Sequence, residues 1–301
     1  MTPPAPKPSW LRKPLVHGDS AVRRTVAATR LHTVCEEARC PNRHECWGRE
    51  GTATFLILGD LCTRGCTFCG IRRGRPAAPD PAEPRRVAEA AAAMGLRFVV
   101  VTMVTRDDLA DGGASQMART VQTIRAIVPG CGVEVLPSDF GGSESALETL
   151  AAVAPEVFGH NIETVRRLTP AVRRGADYDR SLAVLRAYRR LEPRAVIKSA
   201  MMVGLGETAE EVARTMDDLL AAGVEVLMIG QYLQPTRQRA PVERYWTPEE
   251  FVGLRSDALR RGFRHCEAGP WVRSSYRAES VYRRVLAARA GGAEPVGAAG
   301  P

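Results

Sequence analysis

The chain has 301 residues, of which 45% are hydrophobic, and this suffices for one large α/β domain or two modest ones. No apolar run approaches the roughly 20 residues that cross a bilayer, and residues 1–9 lack the apolar stretch of a secretory signal. We therefore expect a soluble cytoplasmic protein with no membrane partner. The net charge of +8 would suit an acidic partner, but only 6% of residues are aromatic and no basic run is interleaved with aromatics, so we expect no nucleic-acid binding.

The elements change in character along the chain. Residues 1–30 are proline-rich and predict a flexible or extended arm, and residues 31–50 carry cysteines with little hydrophobic periodicity. From Thr52 onward, apolar strands alternate with helices. The predicted strands are 52–58, 98–102, 133–136, 157–161, 195–203 and 224–232. The predicted helices are 87–94, 116–127, 146–153, 178–191, 209–222 and 248–261.

A strand followed by a helix, repeated about six times, predicts parallel strands joined by right-handed crossovers, so we expect an α/β fold. Strands rich in valine and isoleucine agree with this assignment, as do helices rich in alanine, arginine and leucine. The pattern alone does not decide whether the sheet closes into a full barrel. Residues 289–301 are of low complexity and predict a disordered tail.

The eight cysteines are the most informative residues of the chain. In a cytosolic protein they are not expected to form structural disulfides, because that compartment keeps thiols reduced. Three of them share one loop after the first strand with the spacing CX3CX2C. They are Cys62, Cys66 and Cys69, called here the first trio. Three thiolates can hold three corners of a [4Fe–4S] cluster and leave the fourth iron open. A structural zinc loop is the alternative, but zinc usually takes four ligands, and no fourth Cys or His lies close in sequence.

Three further cysteines precede the strands with the spacing CX4CX5C. They are Cys35, Cys40 and Cys46, called here the second trio. Two sets of three suggest two clusters, each short of one cysteine ligand. We interpret His32 and His44 as hydrogen-bonding or surface residues, and Cys131 and Cys266 as small buried hydrophobes.

The first spacing is that of the radical S-adenosylmethionine superfamily, which the chain resembles. Phe68 stands where that superfamily has an aromatic residue near the adenine. Both trios together with Arg273-Ser274-Ser275-Tyr276, called here the RSSY segment, resemble the lipoyl synthase family over roughly residues 31–280. Further matching blocks begin at residues 51, 106, 160, 202 and 229. In that family the second serine of the RSSY segment, here Ser275, is the fourth ligand of the auxiliary cluster.

The resemblance implies a partial (β/α)6 TIM-like barrel over residues 51–265, an auxiliary-cluster extension at 31–50, and a C-terminal helical segment at 266–288 that carries the RSSY segment. The implied activity is radical-mediated insertion of two sulfur atoms at carbons 6 and 8 of a protein-bound octanoyl-lysine, a sulfurtransferase reaction. The implied cofactors are S-adenosylmethionine and two [4Fe–4S] clusters, of which the auxiliary one is sacrificed for its sulfide.

The implied partners are octanoylated lipoyl carrier domains and a reduced electron donor such as flavodoxin or ferredoxin. The carriers would be the acyltransferase subunit of 2-oxoacid dehydrogenases and the glycine cleavage H protein.

A serine ligand also has a physical reason, because an alkoxide matches cluster iron less well than a thiolate does. The cluster therefore has one weakly held iron, which suits a cluster that must be dismantled for its sulfide. The alternative for the RSSY segment is a cap before a helix at 278–288.

Polar residues at the carboxyl ends of parallel strands are the expected contacts of S-adenosylmethionine. Asn161 and Glu163 follow the fourth predicted strand, Arg173 lies in the loop beyond it, and Lys198 lies on the fifth strand. The alternative for each is a hydrogen bond within the barrel rim.

Several residues differ from those usual in the family, and they leave open a paralogous enzyme that inserts sulfur into a different acyl chain or carrier. They are Met103, Gly159, Ala200, Arg239, Glu267 and Arg277. Another alternative is a non-enzymatic iron–sulfur or zinc module that acts on nucleic acid. An inactive homologue is disfavoured because both trios and Ser275 are intact.

Overall fold

One eight-stranded sheet organises the computed structural model, which describes residues 7–12, 21–47 and 54–291. The strands in chain order are β1 (His32–Thr33), β2 (Thr54–Ile57), β3 (Leu61–Cys62), β4 (Arg72–Arg73), β5 (Phe98–Met103), β6 (Gly132–Leu136), β7 (Val157–Gly159), β8 (Val196–Val203), β9 (Val226–Gln231) and β10 (His265–Gly269). The large sheet has the order β1-β2-β5-β6-β7-β8-β9-β10, and β3 pairs separately with β4. All its neighbours are parallel except β1, which pairs antiparallel with β2.

The helices pack around this sheet in the crossover positions. They are α1 (Ala21–Thr29), α2 (Val34–Glu37), α3 (Arg43–Glu45), α4 (Glu83–Ala93), α5 (Ala114–Ile127), α6 (Glu144–Ala151), α7 (Thr169–Val172), α8 (Tyr178–Leu191), α9 (Ala209–Ala221), α10 (Pro248–Arg261) and α11 (Ala278–Arg289). Short 3-10 turns cover Ser9–Leu11, Phe140–Gly142 and Arg166–Leu168. Over the described ranges, every helix is too short or too polar to span a membrane.

The predicted α/β fold with a partial barrel of parallel strands is confirmed. The central strands β5, β8 and β9 are buried over almost their whole length, as parallel strands covered on both faces require. Capping boxes at Thr208 and Thr247 start α9 and α10 where the sequence predicts helices. β1 and β10 stand at the two edges of the sheet, so the barrel is open.

The structure differs from the predicted elements at several places. The arm predicted over residues 1–30 contains the helix α1, whose Val22 and Val26 pack on Cys35 and Trp47. β10 is a seventh parallel strand across the boundary predicted at residue 265, and the strand predicted at 157–161 ends at Gly159. The predicted tail begins inside α11, and residues 292–301 lie outside the described residues, as do 1–6, 13–20 and 48–53.

Alternate side chains of the strands build two apolar layers. Val99 and Val101 of β5 belong to the layer between the sheet and the outer helices. Phe98 and Val100 point the other way and pack with Val281 and Val285 of α11. α11 therefore fills the barrel interior from the amino-terminal side and leaves the carboxyl edge of the strands open to the loops that carry the cysteines.

Candidate active site at the carboxyl edge of the sheet

The first trio lies on the loop that leaves β2. All three cysteines are half-buried free thiols. Burial raises the pKa of Cys66 to about 11 and that of Cys69 to about 12. The Cys62 and Cys66 thiols act electrostatically on Cys69, and Cys66 also feels the opposing charges of Arg173 and Glu163, so these groups share one small volume.

An arginine inside the trio fastens this loop to the sheet. Arg64 donates to both oxygens of Asp107, which follows β5, and to both oxygens of Asp139, which follows β6, with distances of 2.7–2.9 Å. Burial opposes ionisation of Asp139, yet the hydrogen bonds and charge of Arg64 hold its pKa below the ordinary value. Thr63 adds a hydroxyl bond of 3.0 Å to the Thr105 carbonyl. Two strand ends thus fix the loop through charge-assisted bonds.

The residues predicted to contact S-adenosylmethionine are distributed around this loop. Asn161 Nδ2 donates to Glu163 Oε1 over 3.0 Å, and Glu163 has a left-handed φ of 65°. Partial burial raises the pKa of Glu163, with Arg173 opposing the rise. Buried Arg173 donates to the Ile162 carbonyl and to Ser181. These three predicted residues therefore lie together, next to Cys66.

Phe68 and Lys198 have different surroundings. Phe68 is partly buried and packs on the apolar cluster of Val172, Leu205 and Tyr232. Lys198 is 1% exposed, and its Nζ lies 2.7 Å from Glu134 Oε2 in the barrel interior. Its ammonium is therefore already paired, and a contact with the cofactor stays a prediction.

The second trio lies between β1 and β2 along the chain. The Cys40 amide donates to the Cys35 carbonyl over 3.1 Å, and the Cys46 amide donates to the Asn42 carbonyl over 2.9 Å, so two short turns set the positions of the three thiols. Cys35 is buried, which raises its pKa, and the Cys40 thiol adds to the rise. The backbone at residues 37–38, within this turn, packs on Gly70, which directly follows the first trio. The two trios are therefore neighbours.

The RSSY segment, with the residues just before it, crosses the sheet and reaches the second trio. Asn42 Nδ2 donates to the Trp271 carbonyl over 2.6 Å, and the Tyr276 hydroxyl donates to Glu45 Oε1 over 3.2 Å. Electrostatic contacts join Arg273 to Cys40 and Tyr276 to Cys46. The structure therefore brings the segment of Ser275 to the trio with which the family resemblance associates it. Ser274 also donates to Asn161 Oδ1 over 2.9 Å.

Sequence reasoning missed several residues of this site. Arg64 stands inside the CX3C spacing, and its charge next to three cysteines was the signal that could have drawn attention to it. Asp139 carries no such signal, since its partner lies 75 residues away along the chain. Ser274 stands out only as part of the RSSY segment, and its contact with Asn161, 113 residues away, has no local signal. Among the departures from the family, Arg239 Nη2 bonds the Ile71 carbonyl over 3.0 Å and so holds the end of the first-trio loop.

Comparisons with known proteins agree with this geometry. Residues 56–219 match the family model of the radical SAM superfamily. A lipoyl synthase of Shouchella clausii is 54% identical over 275 residues, which cover 91% of this chain and 89% of that protein. A lipoyl synthase of Symbiobacterium thermophilum is 54% identical over 287 residues, which cover 95% and 89%.

Solved structures show the same fold at much lower identity. Methylornithine synthase superposes with a TM-score of 0.54 at 13% identity, covering 92% of this chain and 91% of that one. With the two trios and the RSSY segment assembled at one edge of a partial barrel, the chain belongs to the lipoyl synthase family of the radical SAM superfamily.

Proposed function

We propose that this chain inserts two sulfur atoms at carbons 6 and 8 of an octanoyl group carried on a lysine of a lipoyl carrier domain. The observation that carries the proposal is the adjacency of the two trios, which meet where Gly70 packs on the backbone at residues 37–38. A reaction that makes a carbon radical at one centre and takes sulfur from another needs both centres side by side, since misplacement by about 1 Å can cost a hundredfold in rate.

The first trio suits a [4Fe–4S] cluster with one open iron. Burial raises the pKa of the unbound Cys66 and Cys69 thiols, which would lose their protons on binding iron. Among the described residues, no three His, Cys, Asp or Glu side chains converge on a point as the ligands of one metal ion do. A cube takes one thiolate on each iron, so its ligands stand apart.

The second trio and Ser275 are our proposed ligands of the auxiliary cluster. Ser275 lies between Ser274 and Tyr276, and Tyr276 and Arg273 both face this trio. In the described part of the chain, the hydrogen bonds of the RSSY segment use Arg273, Ser274 and Tyr276 and leave the Ser275 hydroxyl free to act as a ligand. A hard oxygen ligand among thiolates supplies the weak corner that a sacrificial cluster needs.

When bound, S-adenosylmethionine and the clusters supply the radical and the sulfide for the reaction. The residues of this chain hold the cofactor in position. Phe68, packed on Tyr232, offers an apolar face for the adenine, while Asn161, Glu163 and Arg173 present polar groups beside the first trio. Lys198 also remains a proposed cofactor contact. Its position on β8 supports this proposal, whereas the pairing of its ammonium with Glu134 argues against it.

The proposed partners are octanoylated carrier domains, namely the acyltransferase subunit of 2-oxoacid dehydrogenases and the glycine cleavage H protein. The reductant is a one-electron donor such as flavodoxin or ferredoxin. The net charge of +8 would favour an acidic carrier. All eight cysteines are free thiols, which supports a reducing compartment, and we propose the cytoplasm.

Anaerobic reconstitution followed by mass spectrometry of an octanoylated carrier domain tests the proposal. The expected result is about eight irons per chain and a carrier mass gain equal to two sulfurs with the loss of two hydrogens. A reconstituted chain with about eight irons that leaves the carrier mass unchanged contradicts the function.

Matched cysteine variants test the assignment of the trios. Cys66→Ala and Cys40→Ala should each lose about four irons, and Cys40→Ala should still cleave S-adenosylmethionine. Cys131→Ala is the control, since Cys131 is buried away from both trios in the outer apolar layer and should keep all the iron. Retention of the full iron content by Cys40→Ala would contradict the proposal that the second trio binds a cluster.

The paralogous alternative, an enzyme for a different acyl chain or carrier, is tested in the same experiment. Carrier domains loaded with hexanoyl, octanoyl and decanoyl groups are offered to the reconstituted enzyme together. Preferential sulfur insertion into a chain other than octanoyl would favour the alternative.

A further inference from the structure

One side chain bridges the two halves of the site. The Asn161 amide contacts Glu163 over 3.0 Å on one side and Ser274 over 2.9 Å on the other. An ionised carboxylate only accepts hydrogen bonds, so the Asn161 nitrogen faces Glu163 and its oxygen receives the Ser274 hydroxyl proton. The orientation of the amide is therefore fixed by its two partners.

The Glu163 end of the bridge is rigid. Its amide donates to the Ala200 carbonyl over 3.0 Å, and its own carbonyl accepts from the Met202 amide over 2.8 Å. These two backbone bonds to β8 hold Glu163 at its left-handed φ of 65°, a conformation that a non-glycine residue keeps only when its surroundings impose it. This carboxylate also interacts electrostatically with Arg173 and with Cys66 of the first trio.

The Ser274 end is attached to the segment of the other cluster. Ser274 directly precedes Ser275, and the Val272 carbonyl before it lies against Gly230 of β9. Two hydrogen bonds among three side chains, those of Glu163, Asn161 and Ser274, thus connect the surroundings of the first trio with the RSSY segment.

We propose that Asn161 is a positioning residue that couples S-adenosylmethionine binding to the order of the RSSY segment; this rests on the proposed function. Ser274 holds the Asn161 amide in the orientation that receives the cofactor, and the cofactor in turn stabilises the bond to Ser274. Such coupling is reciprocal by thermodynamic necessity. The free energy by which the Ser274 hydrogen bond strengthens cofactor binding equals the free energy by which bound cofactor stabilises the ordered RSSY segment.

Cofactor affinity is the first test. Ser274→Ala, anaerobically reconstituted, should bind S-adenosylmethionine about three- to tenfold more weakly than the parent, the worth of one hydrogen bond. Ser274→Thr keeps the hydroxyl and should restore most of the affinity. Ser256→Ala is the matched control, because within the described part of the chain that hydroxyl bonds only the Val252 carbonyl in α10, and the change should leave the affinity unaltered.

A double-mutant cycle separates coupling from general loosening of the structure. Asn161→Ala and the double variant Asn161→Ala/Ser274→Ala should bind the cofactor equally weakly, because the serine acts only through the amide. Hydrogen exchange gives a second readout: S-adenosylmethionine should slow amide exchange at residues 272–276 in the parent and not in Asn161→Ala.

Additive losses in the cycle, or a Ser274→Ala affinity within twofold of the parent, would overturn the proposal. So would cofactor-induced protection of 272–276 that persists in Asn161→Ala. A parent chain that shows the coupling but adds no sulfur to the carrier contradicts the proposed function alone. A chain that adds sulfur without the coupling contradicts this inference alone, and a parent that binds no cofactor contradicts both.

Discussion

Gly70 lies directly against the backbone of Ala38, and this contact joins the loop of the first cysteine trio to the turn of the second. A methyl group added at Gly70 would lie 3.2 Å from Ala38 Cα and 3.2 Å from the Glu37 carbonyl oxygen. Both neighbours are backbone atoms, which cannot turn aside as a side chain can. The missing side chain therefore lets the loop of the first trio approach the turn of the second without the shift of a few tenths of an ångström that a Cβ atom would require.

Gly70→Ala should push the two trios apart by a few tenths of an ångström, and Gly70→Val by more. We expect sulfur insertion to fall about tenfold in the alanine variant, because the carbon radical would lie farther from its sulfur source. The measurement is the ratio of 5′-deoxyadenosine released to lipoyl groups formed, which should rise as cleavage becomes uncoupled from insertion. Gly253→Ala is the control, since a methyl group there would meet no atom of the described residues within 4 Å apart from the nearby backbone of α10 itself. An unchanged ratio in both Gly70 variants would show that the contact does not set the spacing.

Gly230→Ala should displace the RSSY segment. A methyl group there would lie 2.1 Å from the Val272 carbonyl oxygen, so the chain after β10 must move. We expect the free energy of unfolding to fall by about 1–3 kcal/mol, as for other overpacked positions, and sulfur insertion to be lost while iron at the first trio is kept. Gly269→Ala is the matched control, because Gly269 pairs with Gly230 in the sheet and its added methyl would make an ordinary contact of 3.4 Å. Urea unfolding and iron analysis provide the measurements, and equal behaviour of the two variants would contradict the role of Gly230.

The local sequence predicted most of the barrel and singled out the two cysteine trios, because both leave short-range signals. Apolar β-branched runs marked six strands, and fixed cysteine spacings marked two trios as proposed ligand sets, which the structure brings next to each other. α1 was missed because its nine residues follow a proline-rich stretch and show only Val22 and Val26 as a buried pair. β10 was missed because its sequence, HCEAG, has no apolar run, and its pairing with β9 makes it a strand.

The remaining differences between the sequence-based predictions and the structure come from partners that lie far apart along the chain. Lys198 was placed at the cofactor from its position on a strand, and the structure pairs it with Glu134, 64 residues earlier. The contact of Asn161 with Ser274 spans 113 residues and follows from the path of the chain after β10. No local pattern encodes such pairs, since each depends on how two distant strands end at the same edge.

Arg64→Lys should loosen the first-trio loop without removing its charge. Lysine cannot make the two paired contacts that Arg64 makes with Asp107 and Asp139, so we expect about 1–3 kcal/mol of lost stability and weaker iron retention at this trio. Arg72→Lys is the control on the same loop, because its pair with Asp60 is at the surface and such pairs contribute little. Iron retention under a chelator compares the two, and indistinguishable rates would contradict the anchoring role.

Lys198→Met should destabilise the chain by about 3–5 kcal/mol, because Glu134 would be left charged and unpaired in the barrel interior. Burial already raises the pKa of Glu134 against the charge of Lys198. The double variant Lys198→Met/Glu134→Leu removes both charges and should regain most of the stability. Affinity for S-adenosylmethionine in this double variant tests the proposed cofactor contact: weaker binding at restored stability supports the contact, and parental binding refutes it.

Acidification should destabilise the chain through His160, which is 3% exposed. Its Nδ1 lies 3.2 Å from the Pro137 carbonyl, which only accepts, so Nδ1 carries the proton of the neutral ring. Its Nε2 lies 3.1 Å from Ser181 Oγ, whose own proton is donated to the Asp177 carbonyl. Burial, assisted by the charge of Arg173, lowers the pKa of His160 to about 4. The folded state therefore disfavours the protonated ring relative to the unfolded chain, where the pKa is about 6.5.

The difference in the pKa of His160 between the folded and unfolded states sets the direction in which stability changes with pH. The stability linked to His160 is fully present above pH 6.5 and is lost as the pH falls from 6.5 towards 4, because the unfolded chain then binds the proton first. Urea unfolding of the reduced, cluster-free protein should show the parent losing about 3 kcal/mol more than His160→Gln between pH 7 and pH 4. Between pH 7 and pH 8 the ring is neutral in both states, so the parent and the variant should differ there by a constant. A parallel decline of the two proteins down to pH 4 would mean that the imidazole is protonated as readily in the fold as outside it.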